Sequence, residues 1–96
     1  MLTGKQKRFL RSNAHHLDPI FQVGKGGVNE NMIKQISDAL EARELFKVSV
    51  LQNCEEDKSV VAEQLAAGAG AEIVQIIGNT IVLYKESLEK KQINLP

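Results

Sequence analysis

One cysteine, no tryptophan, two prolines and four aromatic side chains among 96 residues leave several architectures without their means. Cys54 alone cannot close an intramolecular disulfide, so the fold must rest on its core, and a reducing compartment is the natural setting. No apolar run approaches the ~20 residues of a membrane span. The N-terminal stretch carries Lys5, Lys7, Arg8 and Arg11 without the long apolar segment of a secretory leader, so a cytoplasmic address is expected. Repeats and low-complexity tracts are missing as well. What remains, 43% hydrophobic and 25% charged residues, is the composition of an ordinary globule. Residues 1–96 are read as a single domain, too short for a two-domain enzyme with an interdomain cleft.

An excess of one charge is also lacking, since 12 Lys and Arg balance 12 Asp and Glu. The balance hides a polarity. Residues 1–28 carry a net +4, from five cations against Asp18, whereas residues 48–76 carry −4, from Lys58 against Glu55, Glu56, Asp57, Glu63 and Glu72. Attraction to phosphate is screened within about 10 Å at 0.1 M salt. One basic face can therefore hold a polyanion that the opposite face repels, and zero net charge does not exclude nucleic acid.

Thr3 and Gln6 have capping-box spacing, and Leu10, Ala14 and Leu17 recur at helical intervals up to Asp18-Pro19. The pattern predicts a helix over about 4–16, with Lys5, Arg8, Arg11, Ser12 and His15 on the side away from the apolar stripe. Ile20–Val23 reads as a buried strand closed by the turn Gly24-Lys25-Gly26-Gly27. Asn29 is a good N-cap, with Val28 and Ile33 spaced as a hydrophobic staple. The second helix then runs to about Arg43, burying Met32, Ile33, Ile36, Ala39 and Leu40. A second strand, 45–51, sets Lys47 and Ser49 on one face. Glu55, Glu56 and Asp57 suit the start of a third helix that ends at Gly68-Ala69-Gly70. Ile73–Ile77 and Ile81–Tyr84 flank Gly78-Asn79-Thr80 as a hairpin, and about 87–96 form a polar arm. The order α-β-α-β-α-β-β implies a four-stranded mixed sheet, the first three strands parallel and the last antiparallel.

The glycine-rich turn carries the most chemistry. Between a strand and a helix N-terminus, glycines allow close backbone approach, free amides favour phosphate, and Lys25 adds a mobile charge. The competing explanation is a turn that needs glycine only for its dihedral angles. A Walker loop is absent, and a dinucleotide fingerprint would require glycine where Asn29 stands. His15 and His16 point about 100° apart on a helix and cannot make an i, i+4 metal pair. Cys54 has no sequence-placed base, and no nucleophile–base pair or paired carboxylates can be assembled. Neither an enzyme nor a cofactor is called for. Phe46 and Tyr84 are expected in the core, so an aromatic stacking sheet is disfavoured.

Several ordered motifs carry a resemblance over nearly the whole chain: Leu2-Thr3-Gly4-Lys5-Gln6-Lys7-Arg8, Ala14-His15-His16-Leu17-Asp18-Pro19, Val23-Gly24-Lys25-Gly26-Gly27-Val28, Glu44-Leu45-Phe46-Lys47-Val48, and Gln75–Lys85. Together they resemble the small bacterial YhbY-like members of the CRM (chloroplast RNA splicing and ribosome maturation) family. The resemblance implies an α/β two-layer sandwich similar to the C-terminal domain of bacterial translation initiation factor three. It also implies binding to ribosomal RNA on a precursor of the large subunit. By the same resemblance Gly24, Lys25, Gly26 and Gly27 form the RNA-contacting loop, with Lys5, Arg8 and Arg11 of the first helix beside it as phosphate contacts. Lys85 stands where arginine is common in the family and lacks its bidentate phosphate geometry, so it ranks low as a contact. The alternative is an adaptor that uses the acidic third helix or the C-terminal arm on a ribosomal protein or assembly GTPase. Neither a membrane nor a small-molecule substrate is expected as partner.

Overall fold

The computed structural model describes residues 2–96. Its elements follow the expected order: α1 (Gly4–Ala14), β1 (Pro19–Val23), α2 (Glu30–Arg43), β2 (Leu45–Val50), α3 (Lys58–Ala69), β3 (Glu72–Ile77) and β4 (Thr80–Tyr84). The strands form one sheet in the order β1-β2-β4-β3. β1 and β2 are parallel, and β4 is antiparallel to both β2 and β3, so the first three strands share one direction as the crossovers require.

Strand alternation sorts the side chains onto two faces. Phe46, Val48, Val50, Ile81 and Leu83 point to one, where Ile36 and Leu40 of α2 and Val61, Ala62 and Leu65 of α3 complete the main core. Phe21 and Phe46 meet there at 5.5 Å between ring centroids. Leu45, Val74, Val82 and Tyr84 point to the other face and pack against Leu10 and Ala14 of α1. The sheet thus has helices on both sides, and α1 adds a partial third layer to the expected two. No helix among the described residues is long and apolar enough to cross a membrane.

Local chemistry sets the boundaries. Thr3 and Gln6 form the reciprocal capping box, with Gln6 N donating to Thr3 Oγ1 at 3.1 Å and Thr3 N to Gln6 Oε1 at 3.0 Å. The Asn29 carboxamide accepts from Met32 N, and Val28 and Ile33 both pack on the core as the staple spacing requires. Gly68 lies inside α3 rather than ending it. Ile33 packs so closely that a Cβ at Gly68 would come within 2.5 Å of its Cδ1. The left-handed cap is Gly70, at φ +67°. Lys85 Nζ donates to the Ala69 carbonyl at 3.1 Å, which gives that lysine a structural task at the end of α3.

One expectation needs correction. β1 is an edge strand with most of its residues outside the core, because it stands at the end of the strand order and pairs only with β2. Pro19 at its start suits such an edge, where a missing N–H costs little. The polar C-terminal arm is docked on the fold. Glu44 is fully buried and held at φ +66°, a conformation unusual for glutamate, and its carboxylate accepts from Ser87 N, Gln92 N and Ile93 N at 2.6–2.8 Å. Glu41 accepts from Ser87 Oγ, Leu88 N and Glu89 N, while Ile93 and Leu95 pack on the α1 side of the sheet. Burial alone would push the Glu44 carboxyl up. The three amides outweigh it and hold the group below its ordinary value, and hydrogen bonds from Ser87, Leu88 and Glu89 lower Glu41 likewise.

Candidate functional site

α1 buries Leu10 and Ala14, so Lys5, Arg8 and Arg11, spaced i, i+3, stand together on the opposite, exposed face. Like charges so close cost the helix a few tenths of a kcal/mol per pair. No carboxylate lies within ion-pair distance of any of the three, or of Lys25, among the described residues, whereas Lys91 pairs with Glu86 at 3.2 Å. An unneutralised cationic row is what an external polyanion can use.

The glycine turn lies at the C-terminal end of β1. Gly27 N donates to the Gly24 carbonyl at 3.0 Å, closing a four-residue turn with Lys25 and Gly26 exposed at its tip. The glycines are not equivalent. Gly27 is at φ +66°, where a side chain would be strained. Gly24 has an ordinary φ, and an added Cβ would make only normal contact with Asn53 and Leu51 at 3.5–3.6 Å. Gly26 has neither positive φ nor any atom within 4 Å of an added Cβ. Neither backbone conformation nor packing within the chain calls for glycine at 26. A Cβ there would occupy only the open space above the turn.

No hydrogen bond joins the turn to α1 among the described residues. Lys47, half-buried on β2, reaches the end of α1 and donates from Nζ to the His15 carbonyl at 3.4 Å. Val23 pairs with Val50 in the β1–β2 register, which sets Gly24 level with Leu51, four residues beyond Lys47. At about 3.3 Å per strand residue, the end of α1 and the turn are roughly 13 Å apart. Between them lies the half of the sheet that α1 leaves uncovered, and a shallow groove lined by Arg11, Ser12, His15, Gln75 and Ile77 opens onto it. Helix cations and loop lysine therefore flank one open surface instead of converging on a point. A second cavity, of about 400 Å³ and lined in part by His16, Asp18, Arg43 and Gln92, lies beside the C-terminal arm and includes no residue of the glycine turn.

Lys47 was not singled out as a site residue from the sequence. The signal was there: a lysine and a serine alternating with Phe46, Val48 and Val50 mark a strand with one face left partly to solvent. No group of three or more His, Cys, Asp or Glu side chains able to hold a metal ion occurs among the described residues. The Cys54 thiol donates to the Glu56 carbonyl at 3.7 Å.

A family model described as the CRS1 / YhbY (CRM) domain matches residues 2–85. The chain is 79% identical over 96 residues to the "Probable RNA-binding protein YqeI" of Bacillus subtilis (strain 168), covering all of both sequences. It is 40% identical over 95 residues to a Haemophilus influenzae protein named "RNA-binding protein", covering 99% of this chain and 95% of that one. The solution structure of a hypothetical Staphylococcus aureus protein, described as a candidate RNA-binding protein, matches with a TM-score of 0.83 and 64% identity over the whole of both chains.

Proposed function

This chain belongs to the CRM domain family, and from that membership we propose that it is a non-enzymatic RNA-binding protein acting on ribosomal RNA during large-subunit maturation. The observation that carries the proposal is Gly26, a glycine that the fold does not require, beside Lys25 and across an open surface from the unpaired row Lys5, Arg8 and Arg11. In this account the four cations neutralise phosphates, and the small turn admits the sugar–phosphate backbone to its amides. The ribosomal part rests on the sequence resemblance to YhbY-like proteins, and the relatives' names support RNA as the partner.

The test is binding to rRNA fragments as a function of salt. Each neutralised phosphate contributes roughly 0.7–0.9 to the log–log slope, so four contacts give a slope of about −3. A folded Arg8→Ala, Arg11→Ala, Lys25→Ala variant is expected to lose affinity for all RNA sequences alike, its slope shallower by roughly two to three units. Unchanged affinity and slope in that variant would remove this surface as the RNA site. In gently lysed cells at low salt the protein is expected to co-sediment with large-subunit precursors in preference to mature ribosomes. Recovery only in the ribosome-free fraction would overturn the ribosomal assignment.

A further inference from the structure

The uncovered half of the sheet is ordered in a way that phosphate binding does not explain. Gln22 pairs with Ser49, Ser49 with Thr80, and Thr80 with Ile77, so the four side chains form one row across all four strands. All face the α1 side, because their strand neighbours Val23, Val48, Val50 and Ile81 face the main core. Gln22 and Ile77 are exposed, and Ser49 and Thr80 are half-buried. None of the three polar side chains makes a hydrogen bond among the described residues, although each can both donate and accept. At about 4.8 Å between strands the row is roughly 14 Å long.

Cations bound this row on both sides, with Lys47 and Arg11 toward α1 and Lys25 at the turn. The floor itself is uncharged and carries no aromatic ring, so stacking of splayed bases has no platform there. A strip of hydroxyl and carboxamide groups between two cationic margins matches the wide, shallow minor groove of A-form RNA, whose 2′-hydroxyls donate and accept in the same way. We infer that the Gln22–Ser49–Thr80 row reads the ribose 2′-hydroxyls of helical RNA, with the flanking cations on the phosphates at either margin. The inference rests on the RNA-binding proposal and sharpens it, since phosphate contacts alone would hold DNA as well.

The test compares an RNA duplex with a DNA duplex of the same sequence by fluorescence anisotropy. The native protein is expected to favour the RNA. Gln22→Ala, Ser49→Ala, Thr80→Val removes three hydrogen-bonding groups, so RNA affinity should fall about a hundredfold, or about 3 kcal/mol. DNA affinity and both salt slopes should be unchanged. An RNA duplex methylated at its 2′-oxygens should weaken binding by the native protein to a similar degree, a measurement that needs no variant to fold. Equal affinity for RNA and DNA duplexes, full RNA preference in the folded row variant, or tighter binding of single-stranded RNA would each overturn the inference. Failure of the proposed function shows separately, as an Arg8, Arg11 and Lys25 variant that binds RNA unchanged.

Discussion

Gly26→Ala separates what the turn needs in order to fold from what it needs in order to bind. Its φ lies outside the left-handed region and a new Cβ meets nothing within 4 Å, so the native state gains no strain. The unfolded chain loses freedom instead, and such substitutions stabilise by about 0.4–1 kcal/mol. For a domain of this size that corresponds to a rise in Tm of about 2–8 °C. The same methyl projects where a phosphate would approach the turn amides. Loss of one charge-assisted hydrogen bond, about 1.5 kcal/mol or more, should weaken RNA binding roughly tenfold. Gly27→Ala is the control, because at φ +66° alanine costs about 1–2 kcal/mol and Tm should fall. Differential scanning calorimetry and anisotropy on both variants check the contrast. A Gly26→Ala protein that is more stable and binds RNA as before would refute close approach at this turn.

Three further outcomes follow from the packing and the buried carboxylates. Gly68→Ala should destabilise by about 1 kcal/mol in thermal melts, because the new Cβ would lie 2.5 Å from Ile33 Cδ1 and 3.0–3.1 Å from its Cγ atoms at the partly exposed α2–α3 seam, a crowding that alanine's better helix propensity offsets only in part; no loss would mean that Ile33 moves aside freely. Glu44→Ala leaves three amides without their acceptor and should cost about 2–4 kcal/mol, with faster hydrogen exchange at residues 87–93, whereas unchanged exchange would show that the arm is held by other contacts. The folded-state values of Glu41 and Glu44 lie below the ordinary 4.5, so their contribution is fully present above that pH and is lost as acid takes them through the depressed values. Exchange at residues 87–93 should therefore report loosening of the arm only below about pH 4.5, and loosening near neutral pH would contradict it.

Much of the architecture was legible in the sequence because it depends on neighbours in the chain. Helix starts at Thr3 and Asn29, the alternation of β2 and the turn after β1 are local matters of capping, period and glycine content, and the structure keeps each within a few residues. The basic face of α1 was legible for the same reason, since Leu10 and Ala14 determine which side turns outward. What the sequence could not decide depends on long-range pairing. The strand order placed β1 at an edge and β4 between β2 and β3, and only the cross-strand register aligned Gln22, Ser49, Thr80 and Ile77 in one row. The polar C-terminus reads only as an arm because nothing near it in sequence signals a partner. Its amides are held instead by Glu41 and Glu44, more than forty positions away, and Glu44 keeps a left-handed backbone where glycine or asparagine would be usual. The separation of turn and helix across an uncovered half-sheet is likewise tertiary, for the length of α1 and the register of the strands beneath it together determine how much of the sheet is left open.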